Sequence, residues 1–228
     1  MSDEFLKERI LWNSFCQEQQ LLEKAVPLFA TEGGCVATGP YGKSGRLYLQ
    51  RSPEMEKLVV EEVKKVCADY ESNTEHYDGL IYLMCWQKHN EVIPLYFGKA
   101  EKYGKSHRNL SANLKGIPRG GNRSNFCRWG SGYAYHIGDL SAVVCPDHPA
   151  KHQHPKYCRW AERLFIDRTT RRLSQPVYFW IKAWSSKQDQ LSTDFGSTRL
   201  TFLEYLLIGI ASSLYPELIL NAEGVNRN

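Results

Sequence analysis

Two stretches in the first third of the chain have the hydrophobic spacing of amphipathic helices. Residues 3–25 place apolar side chains near helical spacing, so we predict a helix there. The stretch SPEMEKLVVEEVKKVCADY begins with Ser52, which can cap a helix, and Pro53, which suits the first helical position. Between them, GGCVATGPYGKSGRLYLQ is typical of a β-hairpin. Residues 1–77 are therefore predicted to be an N-terminal helical extension with a hairpin.

From residue 78 onward, short apolar runs alternate with longer segments of helical spacing. We predict strands in GLIYLMCW, IPLYFG, YAYHIGDLSAVVC and PVYFWIKAW. We predict helices in KYCRWAERLFIDRTTRRL and LTFLEYLLIGIASSLYPELILN, and a loop leading into a short helix in EKYGKSHRNLSANLKG. These elements predict an α+β (α/β) fold with a small antiparallel sheet flanked by helices.

Composition narrows the class of protein. Of the 228 residues, 42% are hydrophobic and 12% aromatic, which is enough for a sizeable core. No apolar run approaches the ~20 residues that span a bilayer, and the charged start MSDEFLKERI lacks the apolar core of a signal peptide. The seven cysteines, an odd number, favour reduced thiols. We expect a cytoplasmic protein with no membrane partner.

Charge is distributed unevenly along the chain. Residues 1–78 carry nine basic and fourteen acidic side chains, whereas residues 99–128 carry eight basic side chains against Glu101 alone. Residues 151–172 carry seven basic and two acidic side chains. Such basic segments are typical of a protein that binds a polyanion, although a solvated basic face has the same composition. The candidate nucleic-acid contacts are Lys99, Lys102, Lys105, Arg119, Arg123, Arg128 and Trp129.

Several residues with chemically useful side chains follow one another in a definite order along residues 82–221. GLIY carries Tyr82, LYFG carries Tyr96, and Arg108 follows in the predicted short helix. LEYLLIGIASSLYPELILN then carries Glu204 and ends at Asn221. This ordered set resembles the GIY-YIG nuclease superfamily, and the heptapeptide PLYFGKA resembles its restriction-endonuclease branch most.

The resemblance implies both a domain organisation and a function. It covers about residues 79–224, so we expect a nuclease domain at 78–228 with a long insertion at about 116–175. The implied protein is a Mg²⁺-dependent (or Mn²⁺-dependent) endonuclease that hydrolyses double-stranded DNA, in a restriction or antiviral defence system. Cutting both strands with one centre per chain would favour a homodimer or a higher homo-oligomer.

Phosphodiester hydrolysis needs an attacking water, a divalent metal ion and a cation for the phosphate oxygens. The resemblance makes Glu204 the metal ligand, Arg108 the phosphate contact, Asn221 a further catalytic residue, and Tyr82 or Tyr96 the group that activates the water. A free tyrosine has a pKa of ~10, so ionising it at pH 7 would require a shift of roughly 3 units, about 4 kcal/mol. A relay through metal-bound hydroxide requires less and is the favoured hypothesis.

The sequence departs from the family pattern one turn beyond the arginine. Family members usually have His or Tyr at that position, and this chain has Ala112. The candidate substitutes are His107, His136 and Tyr103, and Arg128 is a second candidate for the arginine itself.

The stretch CPDHPAKHQHPKYC contains zinc-ligand residue types. The candidate ligands are Cys145, His148, His154 and Cys158. Only five residues separate the first pair from the second, and three prolines interrupt the stretch, so a basic loop is favoured over a zinc site.

Two other functions fit the same residues. A structure-specific repair or recombination nuclease would recognise the shape of DNA rather than a fixed sequence. A non-catalytic nucleic-acid-binding module would show salt-dependent affinity without a need for Mg²⁺.

Overall fold

The computed structural model shows an α+β protein, which confirms the predicted fold class. The residues that the structure describes are 3–41, 45–115, 117, 136–146, 148–166, 169–189, 191 and 198–225. The helices are α1 (Asp3–Glu18), α2 (Leu21–Lys24), α3 (Pro53–Glu71), α4 (His136–Val144), α5 (Pro155–Leu164) and α6 (Leu200–Leu214). The strands are β1 (Val26–Pro27), β2 (Thr31–Glu32), β3 (Cys35–Val36), β4 (Thr38–Tyr41), β5 (Arg46–Leu49), β6 (Gly79–Lys88), β7 (Glu91–Glu101) and β8 (Tyr178–Trp184).

The main sheet has four strands in the order β1-β8-β6-β7. Strand β6 pairs antiparallel with both β7 and β8, and β7 is therefore an edge strand. The predicted hairpin between the first two long helices is confirmed, because β4 and β5 pair antiparallel. Strands β2 and β3 form a further two-stranded pair.

The chain divides into two compact units. The first contains residues 1–26, 61–111 and 178–228, and the second contains residues 27–60 and 112–177. These units cut across the predicted 1–77 extension, since α1 belongs with the β6–β7 hairpin whereas the β4–β5 hairpin belongs to the second unit.

The core of the first unit lies between one face of the sheet and helices α1 and α6. Strand alternation puts Ile81, Leu83 and Cys85 on that face of β6, where they join the apolar side chains of both helices. The Trp12 ring meets Phe97 edge to face, with ring centroids 5.9 Å apart, and its Nε1–H donates to Val92 O at 3.0 Å. Full burial of each such side chain contributes about 1.5–3 kcal/mol.

A buried ion pair joins the end of β7 to the end of α3. The Nζ of Lys102 lies 2.6 Å from Asp69 Oδ2 and also donates to Thr74 O at 2.6 Å. Burial alone would raise the pKa of Asp69, but hydrogen bonds from Lys102, Thr74 and the backbone N–H groups of His76 and Tyr77 lower it below its ordinary value. Lys102 is only 1% exposed, so the prediction that it contacts nucleic acid is wrong.

In the second unit, helix α4 contacts both β5 and α5. The Leu49 N–H donates to Ser141 Oγ at 3.1 Å. The sequence pattern predicts a strand in YAYHIGDLSAVVC, whereas the structure has helix α4 there, so the prediction is wrong. A short apolar run such as LSAVVC does not distinguish a buried strand from a buried helix, because nearly every position of it is buried in either case.

Three other element predictions change. The helix predicted at 3–25 breaks at Gln20, whose φ of 53° lies in the left-handed region. The short helix predicted in EKYGKSHRNLSANLKG does not form at Arg108, since residues 105–109 form turns and bends and Leu110 forms a bridge with Tyr103. Helix α5 ends at Leu164, well before Leu173 where the predicted helix stopped. In the part of the chain that the structure describes, no helix is long and apolar enough to cross a membrane.

Candidate functional site

The two motif tyrosines lie on the same face of the β6–β7 hairpin. Tyr82 is paired with Gly98 across the hairpin, and Met84 with Tyr96, so the tyrosines are diagonal neighbours. Their ring centroids are 6.3 Å apart, and both side chains are buried. Phe179 of β8 packs 5.9 Å from Tyr82 on this face. The structure therefore brings both predicted tyrosines together, on the face opposite the α1–α6 core.

Gly98 allows the Tyr82 ring to lie directly across strand β7. A Cβ placed on Gly98 would lie 2.3 Å from both Cζ and Oη of Tyr82, closer than any real contact. The glycine of the YFGKA stretch is thus explained by close packing of an aromatic ring against backbone.

We expect Gly98→Ala to lower the free energy of unfolding by about 1–3 kcal/mol, because the new methyl group must displace the Tyr82 ring. Urea denaturation would measure the loss. Gly104→Ala is the matched control, since its Cβ would meet only Asn109 O at 3.7 Å, an ordinary contact. Equal stability of the two variants would contradict the packing explanation.

Glu204 lies half-buried on α6, beside charged residues of β7. Burial raises the pKa of Glu204 to about 7; Lys99 opposes the rise, whereas Glu101 and Glu223 add to it. Lys99, Glu101 and Glu223 are therefore within electrostatic reach of Glu204.

The raised pKa predicts how stability depends on pH. Between its ordinary value of 4.5 and about 7, the Glu204 carboxyl binds a proton in the folded chain but not in the unfolded chain. The free energy of unfolding should therefore fall across this range as pH rises, relative to a Glu204→Gln variant. Thermal unfolding of both proteins at several pH values would measure it, and parallel pH profiles would contradict a raised pKa.

Glu101 connects Lys99 of β7 to the first turn of α6. The Lys99 Nζ lies 2.5 Å from Glu101 Oε1, and Thr201 Oγ1 donates to the same oxygen at 3.1 Å. The hydrogen bond from Lys99 is the main cause of a lowered pKa at Glu101. Thr201 precedes Glu204 by three residues, so both lie on one face of α6. We call Lys99, Glu101, Thr201 and Glu204 the β7-end cluster.

Asn221 clamps the outer edge of β7. Its Oδ1 accepts from the Phe97 N–H at 3.0 Å, and its Nδ2 donates to Phe97 O at 2.9 Å. The neighbouring Leu220 N–H donates to Leu95 O at 2.7 Å. Asn221 is buried and both ends of its amide bind the backbone, so it positions the strand that carries Tyr96 and Lys99.

The other predicted site residues on the loop after β7 are exposed. Arg108 lies in a bend, and its backbone carbonyl is 3.5 Å from the Tyr70 hydroxyl, which donates to it. His107 has a φ of 52° and is near enough to Glu101 to contribute to its lowered pKa. Lys105 is exposed on the same loop. His107 thus approaches the β7-end cluster, while Arg108 presents its side chain to solvent.

Some predicted residues lie outside the part of the chain that the structure describes. His136 begins α4, but its side chain is outside that part. Four predicted nucleic-acid contacts are also outside it: Arg119, Arg123, Arg128 and Trp129.

Three of the four candidate zinc ligands have other environments. An imidazole nitrogen of His148 lies 2.7 Å from Leu47 O, and His154 Nδ1 accepts from the Lys156 N–H at the start of α5. Cys145 is buried, and burial raises the pKa of its thiol to about 11, which disfavours the thiolate that zinc binds. Among the described residues, no group of three or more His, Cys, Asp or Glu side chains could hold a metal ion.

Sequence reasoning missed Glu101, Thr201 and Glu223 as neighbours of Glu204. A signal existed for two of them. Glu101 shares a strand face with Lys99 through the two-residue period, and Thr201 shares a helix face with Glu204 through the three-residue spacing. Nothing in the sequence pattern indicates the approach of Glu223.

Comparisons of the chain with protein-family models, with curated proteins and with solved structures found no match.

Proposed function

We propose that the chain is a Mg²⁺-dependent DNA endonuclease with a site of the GIY-YIG type. The observation that carries the proposal is the half-buried acid Glu204 beside Lys99 at the end of β7. Tyr96 and Lys99 are three residues apart on a strand and so point to opposite faces of the sheet, which leaves Glu204, Lys99 and their neighbours as the proposed site.

The environment of Glu204 fits a divalent cation. Its carboxylate is partly removed from water and has two further carboxylates, Glu101 and Glu223, close enough to raise its pKa. The described residues supply no group of three such ligands, so Glu204 would be the single carboxylate ligand and waters would fill the remaining Mg²⁺ positions. When bound there, a divalent cation would neutralise charge that develops on the phosphate.

In the proposed hydrolysis, side chains of this protein hold the phosphate and position the strand beside it. Lys99 would contact a phosphate oxygen, and Asn221 holds the backbone of β7 in register for it. Tyr82 and Tyr96 lie on the opposite face of the sheet from Glu204 and Lys99, so neither is the proposed acceptor, and the proton of the attacking water passes to solvent. That water forms the new P–O bond as the bond to the leaving oxygen breaks, and the leaving oxygen takes a proton from solvent.

Incubation of plasmid with the protein, with and without Mg²⁺, tests the proposal. We expect cleavage only when Mg²⁺ is present. A discrete fragment pattern would support a restriction enzyme of antiviral defence, whereas preferential cutting of branched DNA would support a repair nuclease. Salt-sensitive binding with no cleavage at any Mg²⁺ concentration would overturn the enzymatic proposal and leave a binding module.

A further inference from the structure

We propose that Lys99 and Thr201 form a subsite for a phosphate oxygen of the nucleic acid, and that the carboxylate of Glu101 occupies this subsite in the free protein. The inference rests on the proposed function for the identity of the ligand. It goes beyond that function because it assigns the subsite donors and an internal competitor.

Two donors from different elements converge on a single oxygen. The Lys99 ammonium of β7 and the Thr201 hydroxyl of α6 both bind Glu101 Oε1, at 2.5 and 3.1 Å. An ammonium and a hydroxyl are donors that proteins use for phosphate oxygens. A carboxylate held by both has the charge and the oxygen of a bound phosphodiester, so Glu101 stands where such a ligand would bind.

The subsite is open to solvent. The Glu101 side chain is 49% exposed and that of Lys99 is 21% exposed. A cleft of about 580 Å³ lies beside them, and Glu101, His107, Arg199 and Thr201 are among the residues that line it. Glu101 can therefore swing away into space that is already present. An exposed ion pair is weak in water, so a DNA phosphate can compete for Lys99.

The location next to Glu204 gives the subsite a role. Thr201 and Glu204 lie one turn apart on α6, so a phosphate bound to Lys99 and Thr201 would lie beside the proposed metal ligand. Glu101 then restrains Lys99 until a substrate phosphate replaces it.

Glu101→Gln tests the competition, because glutamine keeps the size of the side chain and removes its charge. The probe is a fluorescently labelled DNA duplex in EDTA, titrated with the protein at several salt concentrations. We expect roughly three- to tenfold tighter binding than for the unmodified protein, and a salt slope steeper by about 1. Glu71→Gln is the matched control, since Glu71 is also exposed in the first unit and should leave affinity unchanged.

Lys99→Met in the Glu101→Gln background separates the subsite from a general charge effect. The gain in affinity should disappear in this double variant. If the gain persists without Lys99, or if Glu101→Gln binds the duplex as the unmodified protein does, the subsite proposal is overturned.

Inorganic phosphate gives a readout that does not need DNA. Phosphate should raise the melting temperature of Glu101→Gln, compared with chloride at equal ionic strength, and not that of the double variant. Stabilisation by phosphate in a protein that neither binds nor cuts DNA would retain the subsite and reject the proposed function. If the protein cleaves plasmid but Glu101→Gln changes neither duplex binding nor phosphate binding, the proposed function is kept and the subsite proposal is rejected.

Discussion

Glu204→Gln should reduce Mg²⁺-dependent cleavage of plasmid DNA by about 10²–10³-fold, while the affinity for duplex in EDTA changes only a few-fold. The reason is that, in the proposed function, the carboxylate serves the cation and not the duplex, and an amide is a poor ligand for Mg²⁺. Initial rates of plasmid cleavage, with duplex binding measured in parallel, would test this expectation.

The matched control for this substitution is again Glu71→Gln, which should cut plasmid at the unmodified rate. Since the pKa of Glu204 is raised to about 7, its carboxyl is already protonated in a large share of molecules at neutral pH. The uncharged glutamine should therefore be tolerated in the fold, and thermal unfolding of the variant would check that a loss of activity does not come from unfolding. Cleavage by Glu204→Gln at the unmodified rate would remove this residue from the site.

Lys102→Met is expected to have the largest effect on stability, a loss of about 3–5 kcal/mol in the free energy of unfolding. The substitution leaves the Asp69 carboxylate buried without its cation, since both side chains are at most 2% exposed. Guanidinium chloride denaturation near neutral pH is the appropriate measurement. The contribution of the pair is present above the ordinary aspartate pKa of 3.8, and it is lost as pH falls through the lower value in the folded protein.

Lys105→Met is the matched control for this prediction, because Lys105 is exposed on the loop that follows β7. Its substitution should change stability by less than about 0.5 kcal/mol. In the double variant Lys102→Met with Asp69→Asn, the loss should be smaller than the sum of the two single losses. If Lys102→Met instead weakened DNA binding and left stability intact, the side chain would belong to a binding surface.

The elements predicted most accurately have strong local signals. Helix α3 begins at Pro53 as expected, and the Met55 N–H donates to the capping Ser52 Oγ at 2.9 Å. The β6–β7 hairpin, strand β8 and helix α6 also form where apolar runs and turn residues indicated them. In each case the local pattern and the tertiary environment favour the same structure.

The wrong sequence predictions arise where contacts between residues far apart in the chain determine the local structure or the role of a side chain. Lys102 is one more cation in a basic segment of the sequence, and only the fold reveals Asp69 as its buried partner. Arg108 precedes Leu110 and Leu114, which are one helical turn apart in the sequence, yet Tyr103 and Leu110 form an isolated antiparallel bridge that closes the loop instead. The prediction of Tyr82, Tyr96 and Glu204 as a set relied on their order along the chain. That order could not reveal that the two tyrosines lie together on one face of the sheet while Glu204 lies with α6 on the other.

The clamp formed by Leu220 and Asn221 also has a consequence for self-association. A bare edge strand is a template on which a second polypeptide can add a strand, and this is a common route to aggregation. Here the outward-facing backbone groups of Leu95 and Phe97 in β7 are already hydrogen-bonded to Leu220 and Asn221 of the C-terminal segment. The residues after α6 thus cover this part of the edge strand and prevent a second polypeptide from adding a strand there.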